Sequence, residues 1–127
     1  MSYREELPEN CPSCDAEKLI SRREVYRLVR SNPPQDDDFR SQRQMKPSVV
    51  FNNVSECQAR GLSVYSSRDA CIKTMKLPAF KKCQHFVCKV VLGKGAGSIK
   101  QTGQQSHYTW WPLANFDILI NCHLEAS

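Results

Sequence analysis

Alternating apolar and polar residues predict strands in four parts of this chain, and this pattern restricts its fold more than any other feature. Successive side chains of a strand point to opposite faces of a sheet, so each segment offers one apolar face to a core. The segments that show the pattern are residues 24–30, 62–66, 85–92 and 116–124.

Two short helices are predicted between these strands. Asn53 offers an N-cap for a helix over 54–60, and Ser66 or Ser67 offers one for a helix over 68–76. The order is then strand, helix, strand, helix, strand, loop and strand. This order favours an α+β fold, in which a single domain contains a mostly antiparallel sheet and two or three short helices.

The beginning of the chain is polar and is interrupted by Pro8 and Pro12. We therefore expect residues 1–22 to form a polar lead with one short helix over 15–21. The compact domain is expected to span residues 23–127.

Composition agrees with a globular protein. The chain has 127 residues, of which 40% are hydrophobic, and a formal net charge of +5. No apolar run approaches the roughly 20 residues that a membrane span requires. The first residues contain no apolar signal segment, so we expect a cytoplasmic protein without a membrane partner, whose seven cysteines are free thiols.

Metal and phosphate-loop motifs are incomplete. Cys11 and Cys14 form a single CxxC pair, whereas a structural zinc site needs four ligands, so no metal site is predicted. The glycine-rich segment 93–97 lacks the Gly-Lys-Ser/Thr ending of a P-loop and is expected to form a turn.

The first two predicted strands carry candidate ligand-binding side chains. Arg27 shares a strand face with two valines, so its guanidinium either reaches solvent at a sheet edge or binds an anion at the floor of a cleft. Ser63 and Tyr65 lie on one face of the next strand. They either face solvent or supply a hydroxyl and an aromatic ring to a ligand.

The segment 106–112 is the most unusual in the chain, because it places one histidine, one tyrosine and two tryptophans side by side. His107 is a candidate acid or base near neutral pH. Trp110 and Trp111 either close one end of the core or leave one indole free to line a pocket.

Several of these segments resemble compact ADP-ribosyltransferase-like domains and the RES-type domains that consume NAD. The resemblance lies in 25–29, in the loop with Asp38-Phe39-Arg40-Ser41, and in 61–66. It implies that Arg27 contacts the dinucleotide and that Ser63 with Tyr65 follows on the second strand. A third polar residue, often glutamate, is implied on a late strand, where this chain offers Asp117 or Glu125.

The leading hypothesis is therefore a small domain whose cleft binds NAD or a related nucleotide and transfers or hydrolyses it. Arg27, Tyr65 and Trp110 are the expected ligand-binding residues, and His107 and Ser63 the expected catalytic residues. The alternative is a protein-interaction module that binds its partner through Trp110 and Trp111. Nucleic-acid binding through the aromatic residues is a third, less favoured, hypothesis.

Overall fold

A seven-stranded sheet organises the chain in the computed structural model, which describes residues 2–125. Its strands are β1 (Glu17–Lys18), β2 (Arg23–Val29), β3 (Leu62–Tyr65), β4 (Phe86–Leu92), β5 (Gly97–Gln101), β6 (His107–Pro112) and β7 (Cys122–Leu124). They lie in the order β1-β5-β6-β3-β2-β4-β7, and every neighbouring pair is antiparallel. The predicted α+β class and single antiparallel sheet are confirmed.

Three short helices connect the strands. They are α1 (Gln42–Met45), α2 (Glu56–Ala59) and α3 (Arg68–Met75). The preceding residue of each is a serine whose hydroxyl accepts a hydrogen bond from a backbone N–H of the first turn. The helices predicted over 54–60 and 68–76 are confirmed, although Ser55 rather than Asn53 caps the first. Single 3₁₀ turns form at Asp36–Phe39, Pro78–Phe80 and Leu119–Asn121.

The strand predictions for 24–30, 62–66 and 85–92 agree with β2, β3 and β4 to within one residue at each end. The prediction for 116–124 is mostly wrong. Only Cys122–Leu124 is a strand, because the preceding residues turn through the 3₁₀ helix and leave Leu119 and Ile120 exposed.

Two strands occupy a part of the chain that the sequence predicts as loop. β5 and β6 form a hairpin that runs through the segment 97–112. Gly97 has φ of 115°, and a Cβ there would lie 2.0 Å from the carbonyl oxygen of Trp111, so only glycine fits where the two strands approach.

The start of the chain belongs to the sheet instead of forming a helical lead. The helix predicted over 15–21 is wrong, because Glu17 and Lys18 pair with Ile99 and Ser98 of β5. Tyr3 also forms an isolated bridge with Leu113.

Two disulfides contradict the expectation that all seven cysteines are free thiols. Cys11 is bonded to Cys57, and Cys88 to Cys122. The first connects the N-terminal segment to α2, and the second connects the neighbouring strands β4 and β7. Such links restrict the unfolded chain and so favour the folded state.

The longest helix within residues 2–125 has eight residues, and none is long and apolar enough to cross a bilayer.

Candidate functional site

A cleft of about 280 Å³ opens where β2 ends beside β3. The 3₁₀ turn at Asp36–Phe39 and helix α1 contribute to one wall, and Phe80 and His85 contribute to another. Its polar lining comprises Arg27, Arg30, Asp37, Asp38, Arg40, Gln42, Ser63, Tyr65 and His85. Three residues predicted as site residues, Arg27, Ser63 and Tyr65, therefore share one cavity.

Arg27 lies at the floor of this cleft and joins its walls. The guanidinium donates hydrogen bonds to the backbone carbonyls of Asp38 (3.1 Å), Ser63 (2.7 Å) and Arg40 (3.4 Å), and it lies 5.6 Å from the ring centroid of Phe39. These bonds use three of the five N–H groups of the arginine and leave two for a ligand. Arg27 therefore lies in a cleft and not at a sheet edge, and its binding of an anion stays a prediction.

The charge of Arg27 is not neutralised by an ion pair. Burial lowers the pKa of Arg27 to about 10, an effect that nearby Asp38 partly opposes, so the group stays protonated at neutral pH. The carboxylate of Asp38 accepts hydrogen bonds from the backbone N–H groups of Arg30 and Gln35, both at 2.8 Å. A buried cation without a bonded carboxylate attracts an anion more strongly than a paired one does.

Two further arginines bring positive charge to the walls. Arg30 donates to the sulfur of Cys83 at 3.1 Å, and Arg40 donates to the carbonyl of Gln44 at 3.2 Å. Within residues 2–125 neither of them forms an ion pair, and Arg27 does not either. Three cationic side chains thus converge on one cleft.

Sequence reasoning missed Arg30 and Arg40. Strand alternation placed Arg30 on the face opposite to Arg27, but β2 ends at Val29 and the chain turns there, so both side chains reach the cleft. Arg40 belongs to the quoted Asp38-Phe39-Arg40-Ser41 loop. That loop carries part of the family resemblance, which is the one sequence signal that pointed to Arg40.

The hydroxyl groups of Ser63 and Tyr65 are available to a ligand. Both side chains line the cleft, and neither hydroxyl has a hydrogen-bond partner within the described part of the chain. The alternation of β3 buries Leu62 and Val64 and leaves Ser63 and Tyr65 half-buried on the other face. One face of a four-residue strand therefore supplies both groups.

His85 lines the cleft as well, and sequence reasoning did not select it. Its Nδ1 atom lies 3.1 Å from the carbonyl oxygen of Phe80 and 3.0 Å from that of Cys83. Because carbonyl oxygens only accept hydrogen bonds, Nδ1 carries a proton, and Nε2 has no hydrogen-bond partner among the described residues. Pairing of β4 with the end of β2 brings His85 here, and that pairing could not be read from the sequence.

His107 lies outside the cleft, in a neighbouring groove of about 390 Å³. Its Nδ1 donates to the carbonyl of Thr102 at 2.8 Å, and its ring meets that of Tyr65 edge to face at 5.3 Å. No hydrogen bond joins His107 to Ser63 among the described residues. The two candidate catalytic side chains are thus not arranged as a base and a nucleophile.

Trp110, predicted as a ligand-binding residue, does not line the cleft. Trp110 is fully buried, donates to the carbonyl of Ala96 at 2.9 Å and packs edge to face on Phe116. Trp111 is 3% exposed and donates to the carbonyl of Cys57. Both indoles are buried, Trp110 in the core and Trp111 against α2, because β6 is an interior strand. The aromatic surface predicted for a protein partner therefore does not form from them.

The acidic residue implied on a late strand is not in the cleft. Asp117 accepts a hydrogen bond from the N–H of Ile120, and neither Asp117 nor Glu125 lines the cavity. Asp37 does line it, and its exposed carboxylate makes no hydrogen bond or ion pair within residues 2–125.

Groups able to bind a metal ion are not gathered anywhere in residues 2–125, where no three His, Cys, Asp or Glu side chains converge.

Burial raises the pKa of Cys71 to about 12, so this thiol near Arg27 is uncharged at neutral pH.

Comparison with family models, characterised proteins and solved structures finds no match to this chain.

Proposed function

We propose that the cleft binds NAD or a related phosphate-bearing nucleotide. The observation that carries this proposal is the convergence of Arg27, Arg30 and Arg40, none of them in an ion pair, on a cavity with two free hydroxyls. Guanidinium groups bind phosphate oxygens through paired N–H donors.

The remaining lining fits the other parts of a nucleotide. Tyr65 and Phe80 offer aromatic faces for a base or a nicotinamide ring. Ser63 and the free Nε2 of His85 offer hydrogen bonds to ribose hydroxyls. The volume, about 280 Å³, lies near the lower end of the range for small-molecule sites and suits one half of a dinucleotide better than both.

Transfer or hydrolysis of the bound nucleotide is the second part of the proposal. In hydrolysis, water adds to the anomeric carbon, nicotinamide leaves with the electrons of the C–N bond, and one proton is released. Asp37 would place negative charge beside the sugar as it becomes cationic, a role that the resemblance assigns to a later acidic residue. Ser63 would orient the ribose.

Calorimetric titration with NAD tests the binding step. The indoles are buried away from the cleft, so heat is a better signal than tryptophan fluorescence. We expect saturable binding that Arg40→Gln weakens about tenfold, because a hydrogen bond to a charged group contributes about 1.5 kcal/mol or more. Arg22→Gln is the matched control, since Arg22 pairs with Glu24 and does not line the cleft.

Absence of heat up to about 1 mM NAD and ADP-ribose, a Kd limit equivalent to about −4 kcal/mol, would contradict the proposal. An equal effect of the two arginine substitutions would contradict it too. Release of nicotinamide, followed by chromatography and lost in Asp37→Asn, separates a catalyst from a binding domain.

The proposed location is the cytoplasm, as expected from the sequence. Because disulfides are rare there, the redox state of Cys11 and Cys57 in rapidly alkylated cell extracts tests that location.

A further inference from the structure

Charge is distributed unevenly along this chain. Residues 70–116 contain seven lysines but no arginine, aspartate or glutamate. Four of these lysines, Lys73, Lys76, Lys81 and Lys82, fall within ten residues. All four are exposed, and none forms an ion pair among residues 2–125. We call these four residues the lysine strip.

Three lysines of the strip lie in the lining of a cavity or next to a lining residue in the chain. Lys73 lines the groove that contains His107. Lys81 and Lys82 directly follow Phe80, which lines the cleft. Asp69 lies in the groove lining and Asp37 and Asp38 in the cleft lining, but none of these carboxylates pairs with a lysine of the strip within residues 2–125.

One aromatic ring connects the two cavities. Tyr65 lines the cleft and also lines the groove, whose volume is about 390 Å³. The groove otherwise presents polar groups, among them Ser67, Gln104 and Gln105. The two cavities therefore adjoin at Tyr65, and each has a volume on the scale of one nucleotide.

We propose that this face binds a single-stranded nucleic acid, with one nucleotide in the cleft and the next in the groove. Lysines of the strip bind the phosphates, and neighbouring bases stack on Tyr65 and Phe80. Proteins that bind single strands combine a positive groove with aromatic rings in this manner. The proposal rests on the proposed function only for the nucleotide in the cleft.

The concave shape separates this occupant from other polyanions. A membrane surface is flat and would engage the lysines while leaving both cavities empty. A DNA duplex keeps its bases paired and stacked, so it cannot place them in two cavities. The arrangement therefore favours a flexible single strand over either.

Fluorescence anisotropy with a fluorescein-labelled 12-nucleotide oligo(dT) tests the proposal. We expect saturable binding, and we expect Lys73→Gln/Lys81→Gln to weaken it on the order of tenfold at 0.1 M salt. The slope of log Kd against log salt concentration should fall by about 1.4, because the variant loses two lysines and each phosphate contact to a single strand contributes about 0.7. Lys18→Gln/Lys94→Gln is the control with the same charge change, since both lysines line a different cavity at the β1 edge.

A second substitution examines stacking. Tyr65→Ala should weaken oligo(dT) binding, while Tyr65→Phe, which keeps the ring, should not. Weaker binding of a 12-base-pair duplex than of the single strand is also expected.

Several results would overturn the proposal. One is equal loss of affinity in the two lysine double variants, and another is a duplex that binds as tightly as the single strand. Sedimentation with phosphatidylserine vesicles without binding of oligo(dT) would assign the strip to a membrane surface.

Titration with NAD distinguishes a failure of this proposal from a failure of the proposed nucleotide-binding function. Lys73→Gln/Lys81→Gln should bind NAD as the unaltered protein does. Binding of oligo(dT) without binding of NAD would leave this inference standing and remove the first.

Discussion

Two arginines of this protein are held in nearly the same way and yet have opposite electrostatic surroundings. Arg27 lies over the ring of Phe39 and donates to three backbone carbonyls. Arg43 lies over the ring of Phe51, 4.6 Å from its centroid, and one of its nitrogens also contacts three backbone carbonyls. Both therefore fix irregular backbone next to a phenylalanine.

The difference lies in the remaining N–H groups. Arg43 donates them to both oxygens of the Glu56 carboxylate, at 2.8 and 2.7 Å, and Arg60 donates to the same carboxylate. Arg27 has no such partner and faces a cavity. A hydrogen-bonded arginine therefore does not by itself indicate a binding site. An arginine that lies beside a cavity and has no carboxylate partner does.

The largest expected effect concerns the region around Glu56, which also contains the Cys11–Cys57 disulfide. Replacing both cysteines with serine should lower the free energy of unfolding by about 4 kcal/mol, because the bond closes a loop across 46 residues. NAD affinity should not change, since neither Cys11 nor Cys57 lines the cleft. Urea unfolding followed by circular dichroism measures the free energy of unfolding, and calorimetric titration measures the NAD affinity.

Cys14→Ser is the control for that experiment, because Cys14 is an exposed free thiol. If the double variant lost NAD affinity while remaining folded, the two regions would not be independent.

Substitution of Arg27 should affect both the stability of the fold and the affinity for NAD. Arg27→Ala removes three charge-assisted hydrogen bonds from half-buried backbone and should lower the free energy of unfolding by about 3 kcal/mol. It should also abolish NAD binding. Arg43→Ala should destabilise the protein without altering NAD affinity. Parallel unfolding and calorimetric curves for the two variants check this contrast.

Because Arg27→Ala could reduce the folded fraction, Arg27→Lys serves as a second variant. It keeps the positive charge but cannot make the three-way contact, so it should be less stable while retaining weak binding. Full NAD affinity in Arg27→Ala would show that the cleft arginine is only structural.

Glu56 makes stability around Arg43 dependent on pH. Hydrogen bonds from Arg43 and Arg60 lower the pKa of Glu56 from 4.5 to about 2. A carboxyl whose pKa is lower in the folded state stabilises that state above its unfolded pKa, and this contribution disappears as the pH falls. The stability advantage over Glu56→Gln should thus be present at pH 6 and shrink between about pH 4.5 and pH 2. Unfolding curves at pH 6, 4 and 3 measure it, and an advantage that grew on acidification would refute the ion-pair assignment.

The sequence predicted the strands whose two faces differ and missed those whose faces do not. In β2 and β3 apolar residues alternate with polar ones, and β4 is an apolar run interrupted only by Lys89, so the positions of all three followed from the residue pattern. In β6, the last four residues, from Thr109 to Pro112, are all buried, and the alternation vanishes. β5 begins with Gly97 and Ser98, which carry little hydrophobic signal, so its place depends on pairing with β6.

The candidate site, like the sheet, was predicted only in part. Arg27, Ser63 and Tyr65 were found because each is a polar residue at a defined place in an alternating strand. Arg30 and His85 were not, because they reach the cleft only where strands end and where β4 pairs with β2. The two disulfides join cysteines far apart in the sequence, and the spacing of seven cysteines does not determine which of them pair.

The smallest expected effect concerns the hydroxyl of Tyr65. Tyr65→Phe should weaken NAD binding by about fivefold, equivalent to about 1 kcal/mol for one hydrogen bond, and leave the free energy of unfolding unchanged. Tyr26→Phe is the matched control, because Tyr26 pairs with Tyr65 across β2 and β3 but does not line the cleft. Equal NAD affinities in both variants would remove the hydroxyl from the site. Under the two proposals oligo(dT) contacts only the ring of Tyr65 and NAD contacts both the ring and the hydroxyl, so Tyr65→Phe should weaken the binding of NAD and not that of oligo(dT).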